Sequence, residues 1–232
     1  MVIIENKELE EFALSPLSCF AVPVEVFVPT CGEPTVFSYS VCERESREWE
    51  EKYKGRLLSD EALEDLHNSF EAVVKKLSLE RVPNENEWMM EYVFIPDMHL
   101  PKSDSAVKVH MISSNAVLSK ICEISGCDIE IADDGEDVVF AVVDEGRLLA
   151  YAGMNDVKYE DNSVEISVET APEHRRCGYG IACVAALTKH LTGKGIAVRY
   201  KCSRENSASS ALAEKCGFKL EGERFSFVCE RI

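Results

Sequence analysis

The sequence predicts an α+β protein, because strands and amphipathic helices both recur along the chain. Residues 138–143 and 147–154 each alternate apolar and polar side chains, as half-buried strands do. The turn Asp144-Glu145-Gly146 between them is typical of an antiparallel hairpin. Residues 59–77 instead repeat apolar side chains every three or four positions behind a capping Ser59, which predicts an amphipathic helix.

The remaining elements follow from the same two periodicities and from turn residues. In the first hundred residues we expect a helix at 8–14, one or two strands over 20–28, a turn at 31–34, helices over 41–53 and 59–77, and a strand over 88–95. Beyond them we expect a strand at 107–112, a helix at 114–124, an acidic turn at 133–137, a strand at 196–202, a helix from 206, and strands at 218–220 and 224–229.

The most informative segment runs from Ser163 to Leu191. Alternation over residues 164–170 predicts a strand, which Pro172 ends because proline cannot donate to a sheet. Apolar residues at three- and four-residue intervals from Ile181 onward predict a helix with one buried face. Between the two lies the glycine-rich loop Arg175-Arg176-Cys177-Gly178-Tyr179-Gly180. Because first-turn amides lack intrahelical partners and the helix dipole favours anions, this loop predicts a site for a phosphate or pyrophosphate.

The glycine-rich loop departs from two common nucleotide-binding motifs. A P-loop requires Gly-Lys followed by Ser or Thr, which the sequence does not contain. A dinucleotide fingerprint requires a third glycine where Cys183 stands, so an NADP-dependent enzyme that uses Arg204 on the 2′-phosphate is kept only as an alternative. A strand-to-helix turn with glycines for geometry alone also stays open.

A second motif lies downstream of the loop. Asn206 or Ser207 can cap a short helix, and Gly217 suits the left-handed residue after its end. When this motif is considered together with the glycine-rich loop, the chain resembles the GNAT family of acyl-CoA-dependent N-acetyltransferases over about residues 106–230. The resemblance rests on Arg175-x-x-Gly178-x-Gly180, on Val168-Glu169-Thr170-Ala171-Pro172 before it, and on Asn206 leading to Glu214-Lys215-Cys216-Gly217-Phe218. The run Leu212-Ala213-Glu214-Lys215 is similar to a bacterial branch of the family.

The resemblance implies a fold and an activity. The fold is a mixed, mostly antiparallel sheet flanked by helices, with an α/β extension at its N-terminus. Residues 1–101 would form that N-terminal module, of unknown role, and residues 102–232 the acetyltransferase domain. The activity is that of a transferase, an acyltransferase of the EC 2.3.1 type. It would pass an acetyl group from acetyl-CoA, as co-substrate, to a primary amine of a small molecule or peptide by direct attack.

The resemblance also implies which residues hold acetyl-CoA. The pyrophosphate would lie on the amides of residues 176–181, the pantetheine arm would pair with the backbone of strand 164–170, and Asn206 would orient the cofactor from the far side. The expected cofactor-binding residues are Val168, Thr170, Arg175, Arg176, Cys177, Gly178, Tyr179, Gly180, Ile181, Asn206 and Ser209.

Proton transfer is the least determined part of the expected chemistry. An amine with a pKa near 10 is protonated at neutral pH and needs a base, and Glu165 and Glu169 on the strand are the two candidates. Solvent-facing alternation along the strand is the other explanation for both glutamates. Many family members carry a tyrosine where Ala213 stands, to protonate the leaving thiolate. Three alternatives stay open: the thiolate leaves unaided, another hydroxyl (Tyr179, Tyr200 or Ser209) replaces the tyrosine, or the protein is a non-catalytic acyl-CoA-binding or sensing protein.

Composition narrows the partners. The net charge of −17 argues against nucleic acid, whose phosphates would be repelled. The ten cysteines form no Cys-x-x-Cys pair, and a chain of 232 residues needs no disulfide framework, so we expect reduced thiols in the cytoplasm and no metal. We identify no leader segment and no apolar run long enough to span a bilayer, so we expect no membrane partner. The sequence leaves the oligomeric state open, including a homodimer.

Overall fold

The fold is described from a computed structural model of the chain. The structure describes residues 3–5, 20–32, 35–39, 42–53, 59–83, 87–96, 100–101, 107–125, 138–159 and 161–232. The predicted helix at 8–14 and the predicted acidic turn at 133–137 lie outside these residues.

The described residues contain eleven strands and five α-helices. The strands are β1 (Ile3–Glu5), β2 (Phe20–Pro29), β3 (Thr35–Ser38), β4 (Leu79–Arg81), β5 (Trp88–Phe94), β6 (His110–Ile112), β7 (Val139–Asp144), β8 (Arg147–Lys158), β9 (Val164–Thr170), β10 (Val198–Ser203) and β11 (Phe218–Arg231). The helices are α1 (Glu43–Tyr53), α2 (Asp60–Lys76), α3 (Asn115–Ser125), α4 (Tyr179–Gly193) and α5 (Ser207–Lys215), and a 3₁₀ turn covers Pro172–His174. The predicted α+β class, with mostly antiparallel strands and helices beside them, is confirmed.

The chain folds as two compact units. The first contains Met1–Glu91, Cys202–Glu205 and Glu221–Ile232, and the second contains Tyr92–Lys201 and Asn206–Leu220. Because the first unit takes residues from both ends of the chain, no single cut in the sequence separates the two. The predicted modules 1–101 and 102–232 stay a prediction.

In the first unit, strands pack against two helices. β2 pairs antiparallel with β3 and with β11, β1 runs parallel to β3, and β4 pairs antiparallel with β11. The predicted cap of α2 is confirmed, since the Ser59 side chain accepts the Ala62 N–H. Trp49 of α1 is buried with its indole N–H donating to Ala62 O at 2.7 Å, which satisfies its polar atom. The largest fully buried side chains of this core are Trp49, Phe70, Phe227 and Leu66.

In the second unit, an antiparallel meander leads into one parallel pair. β6, β7, β8 and β9 pair antiparallel in sequence order, and β10 runs parallel to β9. The parallel pair requires a crossover, which α4 supplies by packing against β7, β8 and β9. The buried residues of α4 extend beyond the predicted stripe and are Gly180, Ala182, Cys183, Val184, Ala185, Leu187, Thr188 and Leu191.

The last strand corrects the sequence prediction. We expected two strands at 218–220 and 224–229, with a break at Glu221-Gly222-Glu223, whereas β11 is continuous. Gly222 pairs with Pro29 inside the ladder, and a Cβ placed on it would lie 2.5 Å from Val28 O. The glycine therefore permits a close approach of two strands, where the sequence pattern left a gap between two separate strands.

The thiols of the described residues are reduced and largely inert. All eight cysteines there are free, and six of them are buried. Burial raises the pKa of the Cys183, Cys216 and Cys229 thiols to about 12, so they remain protonated at neutral pH. Among the helices that the structure describes, none has both the length and the apolar character needed to cross a membrane.

Candidate functional site

The glycine-rich loop adopts the conformation that its sequence requires. Gly178 is the N-cap residue of α4 and has φ +82°, in the left-handed region where glycine alone avoids strain. A Cβ at Gly178 would meet nothing within 4 Å, so backbone conformation rather than space calls for glycine there. Arg176 is also left-handed, with φ +64°. The amides of residues 179–181, which follow this loop, precede the first intrahelical bond of α4, from Ala182 N–H to Gly178 O.

Gly180 is required for a different reason. It is buried, and a Cβ on it would lie 3.0 Å from Thr170 Oγ1 and 3.2 Å from Leu212 Cδ1. The first turn of α4 is therefore pressed against the end of β9 and against α5. This packing places the unpaired amides of that turn beside the edge of β9.

The backbone of β9 presents alternate peptide groups on its outer edge. The Ala171 N–H donates to Leu149 O at 2.9 Å, so the opposed residues Thr170 and Ala150 form a non-hydrogen-bonded pair. Hydrogen-bonded and non-hydrogen-bonded pairs alternate along β9, so Val168, two residues before Thr170, is also in a non-hydrogen-bonded pair. The peptide N–H and C=O groups of both residues therefore point away from β8.

A cavity lies on that side of β9. The described pairing of β9 with β10 runs from Val164 opposite Val198 to Ile166 opposite Tyr200. Beyond this point a cavity of about 530 Å³ opens beside β9. Its lining residues are Val168, Glu169, Thr170, His174, Arg175, Arg176, Gly178, Tyr179, Gly180, Ile181, Tyr200, Asn206, Ala208, Ser209, Ala211, Leu212 and Lys215.

The structure brings together ten of the eleven residues predicted to bind the cofactor. Cys177 is the exception: it is exposed on the loop, with Sγ 3.7 Å from Arg175 O, and does not line the cavity. The sequence pattern did not assign six other lining residues to cofactor binding: His174, Tyr200, Ala208, Ala211, Leu212 and Lys215. The i, i+3 and i+4 spacing of Ala208, Ala211 and Leu212 on a helix beginning near Asn206 was the signal that pointed to their shared face.

Positively charged side chains outnumber negative ones in the cavity lining. Arg175, Arg176 and Lys215 line it, against the carboxylate of Glu169. The Arg175 guanidinium also donates through Nε to Thr170 O at 3.3 Å, which ties the loop to the end of β9. A basic cavity in a chain of net charge −17 suits a phosphate-bearing ligand.

Two hydrogen bonds organise the far wall of the cavity. The Asn206 side chain caps α5, since its Oδ1 accepts the Ser209 N–H at 3.1 Å. The Tyr200 and Ser209 hydroxyls lie 2.6 Å apart. Tyr200 is only 2% exposed, so this hydroxyl pair sits at the inner end of the cavity. Ala213 is fully buried in α5 and supplies no hydroxyl to the cavity.

The structure separates the two candidate bases. Glu169 lines the cavity, is exposed, and accepts a hydrogen bond from the Tyr151 hydroxyl at 3.3 Å. Glu165 lies outside the cavity lining and has donors on both of its oxygens: Asn155 Nδ2 at 2.9 Å, Tyr159 OH at 2.6 Å and Lys201 Nζ at 3.5 Å. Its oxygens therefore have little room left for a substrate proton.

Tyr159 shares this second cluster with Glu165. Its burial, together with the hydrogen bond to the Glu165 carboxylate, raises the pKa of the Tyr159 phenol to about 12. The phenol therefore stays protonated at neutral pH and remains a donor to Glu165. This arrangement fixes the Glu165 side chain in place.

The comparison with protein families decides the classification. A model of the acetyltransferase (GNAT) domain matches residues 74–219, which is more than half of the chain. The chain belongs to the GNAT acetyltransferase family. GNAT domains transfer acyl groups, and the family generally uses acetyl-CoA.

A solved GNAT structure shares this fold, and a second was compared. A GNAT-family protein from Novosphingobium aromaticivorans is 16% identical, with 67% of this chain and 68% of that chain covered at a TM-score of 0.51. A GCN5-related N-acetyltransferase from Kribbella flavida is 15% identical, with 73% of this chain and 74% of that chain covered at a TM-score of 0.47. No curated protein sequence matches the chain. The first of these structures confirms the predicted GNAT-like fold.

Proposed function

We propose that the protein is an N-acetyltransferase that passes the acetyl group of acetyl-CoA to a primary amine of a small molecule or peptide. One observation carries the proposal: the start of α4, the outward peptide groups of β9 and the Asn206 cap converge on one basic cavity. The free thiols of the described residues support our proposal of a cytoplasmic enzyme. The run Leu212-Ala213-Glu214-Lys215 supports our proposal that it is bacterial.

The cavity residues fit the parts of acetyl-CoA. The amides of residues 179–181 and the Arg175 and Arg176 side chains would hold the pyrophosphate. The outward peptide groups of Val168 and Thr170 would bind the pantetheine arm as an added strand. When bound, acetyl-CoA supplies an activated thioester carbonyl, and the same backbone amides can polarise its oxygen.

Glu169 is the residue that we assign to deprotonating the amine. An alkyl ammonium has a pKa near 10 and must lose a proton before its nitrogen can attack a carbonyl. Glu169 is exposed at the cavity and accepts a hydrogen bond from Tyr151, so its carboxylate can still accept that proton directly or through water. Tyr151 would orient the carboxylate.

Tyr200 is the residue that we assign to protonating the leaving thiolate. Tyr200 lines the cavity, and its hydroxyl is oriented by Ser209 Oγ at 2.6 Å. It would replace the tyrosine that many family members carry at the position of Ala213. The Tyr200 O–H bond breaks as the S–H bond of CoA forms, and the phenolate then recovers a proton from solvent. An alkyl thiol has a pKa near 8.5, so its thiolate leaves with less help than the amine needs.

Replacing Tyr200 by Phe tests this assignment. We expect kcat to fall about tenfold to a hundredfold, because one of two proton transfers is lost. The dissociation constant of acetyl-CoA should stay within about threefold, since the ring remains. A Ser209→Ala variant should lose less kcat than Tyr200→Phe when the release of CoA is measured. A Tyr200→Phe variant with full kcat would remove Tyr200 from the mechanism.

The overall proposal is tested by turnover and by binding. Release of free CoA from acetyl-CoA, measured with a panel of small amines and peptides, should show turnover with at least one acceptor. Thermal unfolding with acetyl-CoA, CoA and NADPH in parallel should shift by a few degrees with the CoA compounds alone, as about 2.7 kcal/mol at a hundred times Kd implies. No shift with either CoA compound would contradict the proposal.

A second function is favoured by one observation. Alanine stands at position 213, where many family members carry the tyrosine that donates a proton. The missing hydroxyl suits a protein that binds or senses acyl-CoA without turning it over. Binding of acetyl-CoA with no release of CoA across the whole acceptor panel would support this alternative. Turnover of any amine would exclude it.

A further inference from the structure

A second cavity lies in the first unit, between the C-terminal half of α2, strand β4 and the end of β11. Its volume is about 320 Å³, at the small end of the range for ligand-binding pockets, which is about 300–1,000 Å³. All of its lining residues belong to the first unit, and none of them lines the cofactor cavity. The acetyl transfer proposed above therefore makes no use of it.

The floor of this second cavity is apolar. Val74 of α2, Leu79 of β4 and Phe227 of β11 line it, and at most 3% of the surface of each is exposed. An apolar surface offers a ligand no hydrogen bond, but it stabilises an aliphatic or aromatic group that leaves water. The floor therefore suits the hydrocarbon part of a small ligand.

His67 of α2 supplies a polar group to the lining. Its ring is tilted against the Phe227 ring, with 5.4 Å between centroids. Its Nδ1 is buried and has no hydrogen-bond partner in the part of the chain that the structure describes. Burying an N–H without an acceptor is costly, so in the neutral ring the proton belongs on Nε2. Nε2 is then the donor that His67 can offer to a ligand.

Charges of both signs also line the second cavity. Lys75 and Arg81 are its cations, and Glu71 and Glu80 are its carboxylates. The Lys75 ammonium lies 2.6 Å from Glu71 Oε1. Arg81 donates through Nε and Nη2 to Glu87 at 3.1 and 3.3 Å, and neither bond uses its Nη1. Because two cations balance two carboxylates, the lining favours a ligand that carries both charges and has no net charge.

We infer that the second cavity binds a free amino acid with an apolar side chain. The side chain would lie on the apolar floor. The carboxylate would accept a hydrogen bond from His67 Nε2 and face Lys75, and the ammonium would face Glu80. A phosphate or a dicarboxylate suits the lining less well, because Glu71 and Glu80 would repel it. The inference does not depend on the proposed acetyl transfer.

Calorimetric titration of the unliganded chain with leucine and with phenylalanine tests the site. At least one should bind with a Kd between about 10 µM and 1 mM, as a ligand of this size implies. Glycine lacks a side chain for the floor and should bind at least tenfold more weakly, by about the transfer free energy of that side chain. Leucinamide lacks the carboxylate and N-acetyl-leucine lacks the ammonium, so each should bind about tenfold more weakly than leucine. Absence of binding by both amino acids would overturn the inference.

A His67→Phe variant locates the binding site. Phenylalanine keeps a ring against Phe227 but removes the N–H donor, so leucine should bind about tenfold more weakly. His190→Phe is the matched control. The His190 ring is tilted against Phe140 at 5.5 Å, and its Nε2 is also buried without a partner among the described residues, but His190 lines neither cavity. This control should bind leucine within about twofold of the unmodified protein.

Two surface variants keep the test decisive if His67→Phe folds poorly. Lys75→Gln and Glu80→Gln each change an exposed side chain, so Tm should be unchanged while leucine binds about threefold more weakly. If leucine bound equally well to these two variants and to His67→Phe, it would occupy another site, such as that of an acceptor amine, and the inference would be wrong. Because the titrations contain no acetyl-CoA, they decide the inference even if the proposed acetyl transfer fails.

Discussion

A Gly178→Glu variant should lose acetyl-CoA binding, with Kd raised about a hundredfold or more. The added carboxylate would stand at the N-terminus of α4, where the pyrophosphate is proposed to bind, and like charges about 4 Å apart near a protein surface repel by about 4 kcal/mol. The fold should survive, because a Cβ at Gly178 meets nothing within 4 Å. Strain from φ +82° costs about 1–2 kcal/mol, a lower Tm by several degrees.

Two controls separate charge from strain in that experiment. Gly195→Glu adds the same charge at a glycine with φ +79° and open space around it, but outside the cavity lining, so its Kd should be normal. Gly178→Gln keeps the bulk and strain without the charge and should bind with intermediate affinity. Calorimetric titration with acetyl-CoA measures all three. Normal affinity in Gly178→Glu would remove the loop from the cofactor site.

A Glu169→Gln variant should lower kcat about a hundredfold to a thousandfold, with the Kd of acetyl-CoA little changed. The amide keeps the shape of the side chain and its contact with the Tyr151 hydroxyl, but it cannot accept a proton from an ammonium. The loss should shrink as the pH approaches the pKa of the acceptor amine, because more of the amine is then already neutral. A pH–rate profile of CoA release measures both effects.

Glu165→Gln is the matched control for Glu169. Glu165 lies on the same strand, but three donors already hold its carboxylate and it does not line the cavity. We expect kcat within about threefold of the unmodified protein, with some loss of Tm from the weakened contact with Lys201. If Glu165→Gln lost kcat and Glu169→Gln kept it, the roles that we propose would be reversed.

Local patterns identified the centre of the second unit. Alternation gave β9 with the bounds 164–170, and the glycines gave the loop that leads into α4. The Asn206 cap and the left-handed Gly217 were also expected from the sequence, because caps depend on residues only a few positions apart. The family motif joined these pieces, and ten of the expected cofactor residues line one cavity.

Such local patterns could not predict contacts between residues that are distant in the sequence. Gly222 was left between two predicted strands, because nothing local shows that a Cβ placed on it would lie 2.5 Å from Val28 O. Alternation treated Glu165 and Glu169 alike, and only the packing of Asn155, Tyr159 and Lys201 distinguishes them.

The sequence by itself determined the fold class, the strand–loop–helix and the family, because each depends on periodicity and on residues close along the chain. Tertiary structure decided which carboxylate lies at the cavity and which two hydroxyls pair at its wall. Trp88 and Glu223 are 135 positions apart, and their hydrogen bond exists only because β5 and β11 bring them together. No periodicity encodes a contact at that separation; it is set by the packing of the folded chain.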